Sequence, residues 1–283
     1  MATRARLDAE LVRRGLARSR EQARELIDAG KVKVNGTVAS KAATNVAKDT
    51  PVLVTEPDTD DWASRGAHKL IGALDAFEPL GVSVDGRRCL DAGASTGGFT
   101  DVLLRRGARE VEAVDVGYGQ LVWRLQTDDR VHVHDRTNVR HITPESIGGD
   151  VDLIVGDLSF ISLRLVLPAL ASCLRIGGDA LPMVKPQFEV GKDRVGTGGV
   201  VRDPALRAEA VAHVSTAATA LGLQTRGVVA SPLPGPSGNV EYFLWLRKTH
   251  SQPDGAVADT VEQSPVDDDV RAMIDKAVAD GPA

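Results

Sequence analysis

The stretch RCLDAGASTGGFTDVLL, residues 88–104, decides the fold of this chain. It starts as a short apolar strand that ends in Asp91, turns through several glycines, and continues with the apolar spacing of a helix. Gly93, Gly97 and Gly98 allow backbone conformations and close approaches that a side chain would prevent, and Asp91 can accept hydrogen bonds from a ligand amine. This order of strand, loop and helix predicts a loop that binds a nucleotide-type cofactor.

The loop lacks the marks of a phosphate site. Ser95 stands where the dinucleotide fingerprint has its second glycine, and no Gly-Lys-Ser/Thr follows to hold a triphosphate. About 20 residues further on, the strand pattern EVEAVDVG ends near Asp115, where an acid binds a ribose diol in doubly wound folds. An adenosine without a diphosphate therefore fits, which favours S-adenosylmethionine. The predicted cofactor contacts here are Asp91, Gly93, Ser95, Thr96, Gly97, Gly98, Phe99 and Asp115.

Composition limits the class of protein. With 283 residues, 42% of them hydrophobic, the chain is long enough for one large core and a small extra domain. The two cysteines form neither a disulfide framework nor a zinc spacing, which favours a reducing, cytoplasmic compartment. The N-terminus has no apolar segment of signal-peptide length, and no apolar run reaches the length of a membrane span, so no transmembrane segment is expected.

The charge is distributed unevenly. Residues 1–48 hold 11 Lys and Arg against 5 Asp and Glu, whereas residues 251–283 hold 2 against 8. A basic end favours a polyanionic partner, although a solvated helix face would also explain the charge. Within residues 4–54, helical and extended patterns alternate, Ser19 suits a helix N-cap, and Asn35-Gly36 predicts a β-hairpin.

This basic segment resembles the alpha-L RNA-binding module of a small-subunit ribosomal protein and of bacterial pseudouridine synthases. The resemblance covers about 50 residues and is carried by Arg6-Leu7-Asp8, the helix start at Ser19 and VKVNG. It implies contacts to RNA phosphates, and the positions that match are Arg6, Arg18, Arg20 and Lys41. Each of these residues by itself is equally compatible with an ordinary surface charge.

The remaining pattern predicts an α/β fold. Strand patterns occur at RCLDAG, VEAVDVG, VHVHD, VDLIVGDLSF, DALPMVK, QTRGVVAS and VEYFLWLR, with helical patterns between most of them. Such alternation predicts a mostly parallel, Rossmann-like sheet covered on both faces, and the last two strands are expected to pair as an antiparallel edge. The predicted organisation is a small α/β RNA-binding domain (1–55), a linker (56–63), a class I methyltransferase domain (64–248) and an acidic disordered tail (249–283).

Four charged residues lie where a methyltransferase would use them. Asp157 and Lys185 follow strands at the edge where open α/β sheets bind ligands, Lys69 lies on the helix entering the domain, and Glu241 begins the final strand. They suit attack of a ribose 2′-hydroxyl on a sulfonium methyl. Because a lysine acts as a base only when neutral, we assign Lys185 as the general base and the other three as orienting groups. Structural ion pairs would give the same pattern.

Several motifs together resemble the TlyA-type, or hemolysin A, family of rRNA methyltransferases: SRGAHKL, LDAGASTGGFTDVLL, VDLIVGDLSF, VKPQFEVGK, GVVRDP and GNVEYFLWL. Their catalytic part is similar to FtsJ-type ribose 2′-O-methyltransferases, whose Lys-Asp-Lys-Glu tetrad falls on Lys69, Asp157, Lys185 and Glu241. The resemblance implies methylation of cytidine ribose in ribosomal RNA of the small subunit, the large subunit or both. It also adds Asp135, in place of a family Glu, and Asp157 to the cofactor contacts. DNA is not an expected partner, and the oligomeric state stays open.

Three other interpretations remain. A methyltransferase acting on an exocyclic base amine would carry prolines after the acid, which DLSF at residues 157–160 lacks. The hemolysin name suggests a membrane-active protein, and a basic helix at residues 9–17 could bind an anionic surface. A catalytically dead RNA-binding or assembly factor is the third.

No metal site is expected. His132 and His134 face the same side of a strand but have no third ligand at an obvious spacing. Phe160 is the aromatic residue considered for stacking on a target base.

Overall fold

The computed structural model of the chain describes residues 4–17, 19–28, 30–48, 50–54, 62–235, 237–250 and 266–282. The chain forms two compact units, Met1–Asp61 and Trp62–Ala283. The sequence predicts a linker that ends at residue 63, but Trp62 and Ala63 belong to the second unit. There the Ala63 N–H donates to Asp101 Oδ2 at 2.9 Å, and the Trp62 ring lies 4.1 Å from the guanidinium of Arg105.

The N-terminal unit is a small α/β module. Its elements are β1 (Arg4–Arg6), α1 (Leu7–Arg13), α2 (Arg20–Asp28), β2 (Val32–Val34), β3 (Thr37–Val38), β4 (Asn45–Ala47) and β5 (Val52–Val54). Strands β1 and β4 pair antiparallel, and β2 pairs antiparallel with β3 and β5. The predicted hairpin is confirmed, because Asn35 and Gly36 both have positive φ and join β2 to β3. Apolar residues from both helices and β2, among them Leu11, Ile27 and Val32, fill the core.

A seven-stranded sheet forms the centre of the second unit. Its strands are β6 (Arg88–Ala92), β7 (Glu110–Val114), β8 (Val131–His134), β9 (Val151–Gly156), β10 (Leu174–Val184), β11 (Leu223–Ala230) and β12 (Tyr242–Lys248), in the order β11-β12-β10-β9-β6-β7-β8. Strands β8, β7, β6, β9 and β10 pair parallel with one another, and β12 is antiparallel to both β10 and β11. The predicted Rossmann-like sheet with an antiparallel edge is therefore confirmed.

Helices cover both faces of this sheet. They are α3 (Ala67–Phe77), α4 (Gly98–Arg105), α5 (Trp123–Gln126), α6 (Leu167–Cys173), α7 (Pro186–Glu189), α8 (Pro204–Ala220) and α9 (Asp268–Asp280). Successive strand residues point to opposite faces. Accordingly, Leu153 and Val155 join the core under α3 and α4, whereas Ile154 joins the core under α6, α8 and α9. A strand buried on both faces explains the nearly continuous apolar run VDLIVG at β9.

The predicted disordered tail at residues 249–283 is wrong for Asp268–Asp280, which form α9. Three apolar residues on one face of this helix are buried in the sheet core: Val270, Ile274 and Ala277. The helix packs against α8 and β11. Acidic residues dominate the composition of this segment because they occupy the solvent-facing side, which is why composition alone predicted disorder. Residues 251–265 lie outside the described part of the chain.

Candidate active site

The glycine loop follows β6 at the carboxyl edge of the sheet. Gly93 has φ of +88°, and a Cβ atom placed there would lie 2.9 Å from the carbonyl oxygen of Asp157. At Gly97 a Cβ would lie 2.3 Å from Leu125 Cδ1, and at Gly98 it would lie 2.3 Å from Ser64 Oγ. Gly93 and Gly97, whose φ values are +88° and +101°, thus adopt the backbone conformations that the sequence analysis expected, although the atoms that they approach belong to the chain itself.

Asp115 anchors the loop from the neighbouring strand. Its Oδ2 accepts the N–H of Ser95 at 2.8 Å, and its Oδ1 accepts the N–H of Gly117 at 2.7 Å. Each carboxylate oxygen keeps further capacity to accept a hydrogen bond. Asp135 also binds backbone: its Oδ2 accepts the N–H of Gly119 at 2.9 Å, which holds the loop after β7.

A cavity of about 440 Å³ opens between the loops that follow β6, β7, β8 and β9. Four of the predicted cofactor residues line it: Gly93, Ser95, Asp115 and Asp157. Six others do not belong to its wall: Asp91, Thr96, Gly97, Gly98, Phe99 and Asp135. The sequence analysis missed other lining residues, namely Val116, Gln120, Asn138, Val139, Leu158, Ser159, Ile161 and Val166. These come from three separate loops, after β7, β8 and β9, and no local pattern indicates which loop residues face a common space.

Asp91 lies behind the glycine loop and is fully buried. Its Oδ2 accepts the hydroxyl of Thr100 at 2.7 Å, and its Oδ1 has no hydrogen-bond partner among the described residues. Burial raises the pKa of this carboxyl to about 7, and the bond from Thr100 opposes that rise. The Phe99 ring is also internal, since it packs 6.0 Å from the ring of Phe243.

The four predicted catalytic residues come together beside Gly93. Lys69 Nζ lies 2.5 Å from Glu241 Oε2 and 3.8 Å from Asp157 Oδ2, and Lys185 Nζ lies 2.6 Å from Asp157 Oδ1. Negative and positive groups therefore alternate from Glu241 through Lys69 and Asp157 to Lys185. The side chains of both lysines are only 7% exposed, and that of Glu241 is fully buried.

Phe160 stands at the mouth of the cavity. Its side chain is 91% exposed and its φ is +63°, which is uncommon for a bulky residue. The ring lies 5.5 Å from the ring of Phe188. Behind it, the Glu189 carboxylate accepts the Ser162 hydroxyl at 2.6 Å and the Leu163 N–H at 2.7 Å, which ties the loop after β9 to helix α7.

In the N-terminal unit, three arginines surround the buried carboxylate of Asp8. Arg6 and Arg20 lie 3.1 Å and 2.9 Å from Asp8 Oδ2, and Arg24 lies 3.6 Å from the same oxygen. The bond from Arg6, assisted by Arg20, holds the pKa of Asp8 well below its usual range. Sequence reasoning missed Arg24, which follows Arg20 by one helical turn. The exposed Lys41 is not part of this cluster, and Arg18 lies outside the described residues.

In the described part of the chain, one group of residues has metal-ligand spacing. Glu110, Glu112 and His132 offer ligand atoms within 4.8 Å of one another. Arg88 pairs with both carboxylates at 3.0 Å and 2.7 Å, and His134 contacts Glu112 at 2.6 Å. The arginine already supplies the positive charge, so the cluster is explained as an ion-pair network.

Comparison with known proteins gives two family matches. The FtsJ-like methyltransferase family matches residues 62–248, and the S4 domain matches residues 5–51. Among the described residues, no helix combines the length and the apolar character needed to cross a membrane.

Individual relatives match along most of the chain. The 16S/23S rRNA (cytidine-2'-O)-methyltransferase TlyA of Mycobacterium tuberculosis is 64% identical over 247 residues, 87% of this chain and 91% of that protein. The 23S rRNA (cytidine-2'-O)-methyltransferase TlyA of Campylobacter jejuni is 35% identical, covering 66% of this chain and 71% of its own. The solved structure of a protein from Streptococcus thermophilus, which is described as a hemolysin, is 37% identical and has a TM-score of 0.69. The match covers 99% of this chain and 96% of that one.

Proposed function

The chain belongs to the FtsJ-like methyltransferase family and carries an S4 domain, and from this premise we propose that it methylates the 2′-hydroxyl of cytidine ribose in ribosomal RNA, using S-adenosylmethionine. The names of the relatives from M. tuberculosis and C. jejuni both specify cytidine-2′-O-methylation, with 23S rRNA common to the two. The large subunit is therefore the first substrate to test, and the small subunit the second. The membrane-active interpretation is not favoured.

The observation that carries this proposal is the row of alternating charges beside the cavity. A ribose hydroxyl is a weak nucleophile until a base removes its proton. Lys185 Nζ can take that proton when the amine is neutral, and Asp157 holds Nζ from 2.6 Å. Glu241 orients Lys69, which in turn lies 3.8 Å from the other oxygen of Asp157. The arrangement thus fixes a base on Asp157, which lines the small-molecule cavity, and methyl transfer requires such positioned groups.

The residues around the cavity fit an adenosine-bearing cofactor. Its volume of about 440 Å³ is typical of a small-molecule site. Asp115 offers both carboxylate oxygens to a ribose diol, and Val116, Leu158 and Ile161 supply apolar wall for a base. When bound, S-adenosylmethionine supplies an electrophilic methyl group on a sulfonium. No separate metal is needed for such a transfer.

RNA binding is assigned to two kinds of surface. In the N-terminal unit, Arg6, Arg20 and Arg24 present guanidinium groups whose side chains are about half exposed while Asp8 holds their positions. Such groups bind phosphates by charge and by bidentate hydrogen bonds. In the second unit, the exposed ring of Phe160 at the cavity mouth suits stacking on the target base.

A methyl-transfer assay tests this proposal. Purified protein is incubated with labelled S-adenosylmethionine and separated ribosomal subunits from cells that lack the enzyme. We expect label in rRNA with the wild type and with Lys276→Ala, which removes an exposed lysine on α9, and at least a hundredfold less with Lys185→Ala. Cofactor binding without transfer to either subunit would reject the substrate, and absence of cofactor binding would reject the enzymatic assignment.

A further inference from the structure

Ser159 contacts the proposed base and is not part of the four-residue set. Its hydroxyl oxygen accepts a hydrogen bond from Lys185 Nζ at 2.7 Å. The residue lines the cavity, in the loop that follows β9, and its position there is exposed. Lys185 Nζ therefore lies between two acceptors, the carboxylate of Asp157 and the hydroxyl of Ser159.

This pair of acceptors determines where a neutral amine can direct its lone pair. A neutral lysine has two N–H bonds and one lone pair. One N–H is donated to Ser159 Oγ, and Asp157 Oδ1 lies 2.6 Å from Nζ in an ion pair that lacks hydrogen-bond geometry. When a second N–H turns toward this oxygen, the lone pair must point in a third direction. With only one acceptor, the second N–H and the lone pair would exchange between the two remaining positions on the nitrogen, so the lone pair would have two directions instead of one.

The backbone keeps the two acceptors in a fixed relation. Asp157 and Ser159 are separated by one residue, and the Asp157 N–H donates to the carbonyl of Ala92 at 3.1 Å. Further along the same loop, Glu189 holds Ser162 and the backbone N–H of Leu163. The loop is thus pinned on both sides of Ser159.

We propose that Ser159 is a positioning residue that, together with Asp157, orients the lone pair of Lys185 toward the ribose hydroxyl. The inference rests on the proposed 2′-O-methylation. The charged groups that face this lysine, directly or through Asp157, are Asp157, Lys69, Glu241 and the buried Asp91. Ser159 adds a neutral acceptor to this set and stabilises the ammonium form when Lys185 carries a proton.

Ser159→Ala tests the inference, with Ser159→Thr as the conservative variant that keeps a hydroxyl. A hydrogen bond between neutral groups is worth enough to change a rate by up to about tenfold. We expect Ser159→Ala to lower kcat about tenfold while KM for the rRNA and the dissociation constant of the cofactor change less than about twofold. Its rate should also rise with pH at lower pH than the wild type, because the ammonium form loses an acceptor. Ser159→Thr should recover most of kcat.

Ser162→Ala is the matched control, because it removes a hydroxyl from the same loop that contacts Glu189 instead of Lys185, while the bond from the Leu163 N–H to Glu189 still holds the loop. Wild-type kcat and an unshifted pH profile in Ser159→Ala would overturn the inference. A Thr variant as slow as the Ala variant, or the same profile shift in Ser162→Ala, would also overturn it. The proposed function fails separately, if the wild-type protein places no methyl group on ribose.

Discussion

Replacement of Lys69 by methionine should destabilise the second unit strongly. The Glu241 side chain is fully buried, Lys69 Nζ lies 2.5 Å from its Oε2, and its Oε1 has no hydrogen-bond partner among the described residues. Removing the lysine leaves a buried carboxylate without a counter-charge, which costs about 3–5 kcal/mol. Adding Glu241→Gln removes that charge, so the double variant should recover at least half of the lost free energy of unfolding while remaining inactive.

Urea unfolding followed by tryptophan fluorescence measures this loss of stability. All three tryptophans, Trp62, Trp123 and Trp245, lie in the second unit, so the fluorescence reports on that unit alone. Lys276→Met is the control, because it removes a lysine that pairs at 2.6 Å with Asp280 on an exposed surface. It should cost less than about 0.5 kcal/mol. A loss below about 1 kcal/mol in Lys69→Met, or a double variant no more stable than the single one, would refute the reasoning.

Three further predictions concern the buried acid, the last helix and the RNA-binding arginines. Burial raises the pKa of Asp91 to about 7, above its value of about 4 in the unfolded chain. The protonated carboxyl therefore contributes to the free energy of unfolding fully below about pH 4, and this contribution is lost as the pH rises through 7. Calorimetry should therefore show that the free energy of unfolding of Asp91→Asn, relative to the wild type, rises by about 4 kcal/mol between pH 4 and 8. A difference that does not change with pH would contradict this. Ile274→Ala should cost about 2–5 kcal/mol in the fluorescence assay, whereas a cost near zero would show that α9 is dispensable. Arg20→Ala should weaken rRNA binding and reduce the slope of log affinity against log salt by about 1, which filter binding at several salt concentrations measures, and an unchanged slope would exclude a phosphate contact.

Part of the candidate site is predictable because parallel strands end at one edge of a sheet. Asp115, Asp157 and Lys185 each follow a strand of the parallel part, so identifying the strands is enough to bring the three residues to the same edge. Lys69 and Glu241 are harder, because a helix and the start of an antiparallel strand position them. The sequence analysis placed each on its element, but their contact depends on how α3 packs on the sheet, which the sequence pattern does not specify.

Other features depend on tertiary packing that no local pattern encodes. Gly97 and Gly98 look like ligand-binding glycines, yet Leu125 and Ser64 occupy the space that their side chains would need. Near the C-terminus, a faint helical pattern at residues 269–278 was outweighed by the acidic composition, since the partner surface that buries Ile274 is remote in the sequence.

Side-chain contacts between separate segments are the least predictable features. In the sequence, nothing distinguishes Ser159 from an ordinary loop serine. The structure places its hydroxyl 2.7 Å from Lys185 Nζ. Arg24 gives no signal apart from its helical spacing from Arg20, and its partner Asp8 belongs to the preceding helix. In both cases the contact depends on the relative placement of two segments, which spacing along the chain does not specify.

The position of the transferred methyl group tests the central claim most directly. After reaction with the wild-type protein, large-subunit and small-subunit rRNA are digested to nucleosides and separated by liquid chromatography with mass spectrometry. The account predicts a gain of 2′-O-methylcytidine, absent from the reaction with Lys185→Ala. Methyl groups found on the cytosine base, with unmodified ribose, would contradict it and would support the exocyclic-amine alternative.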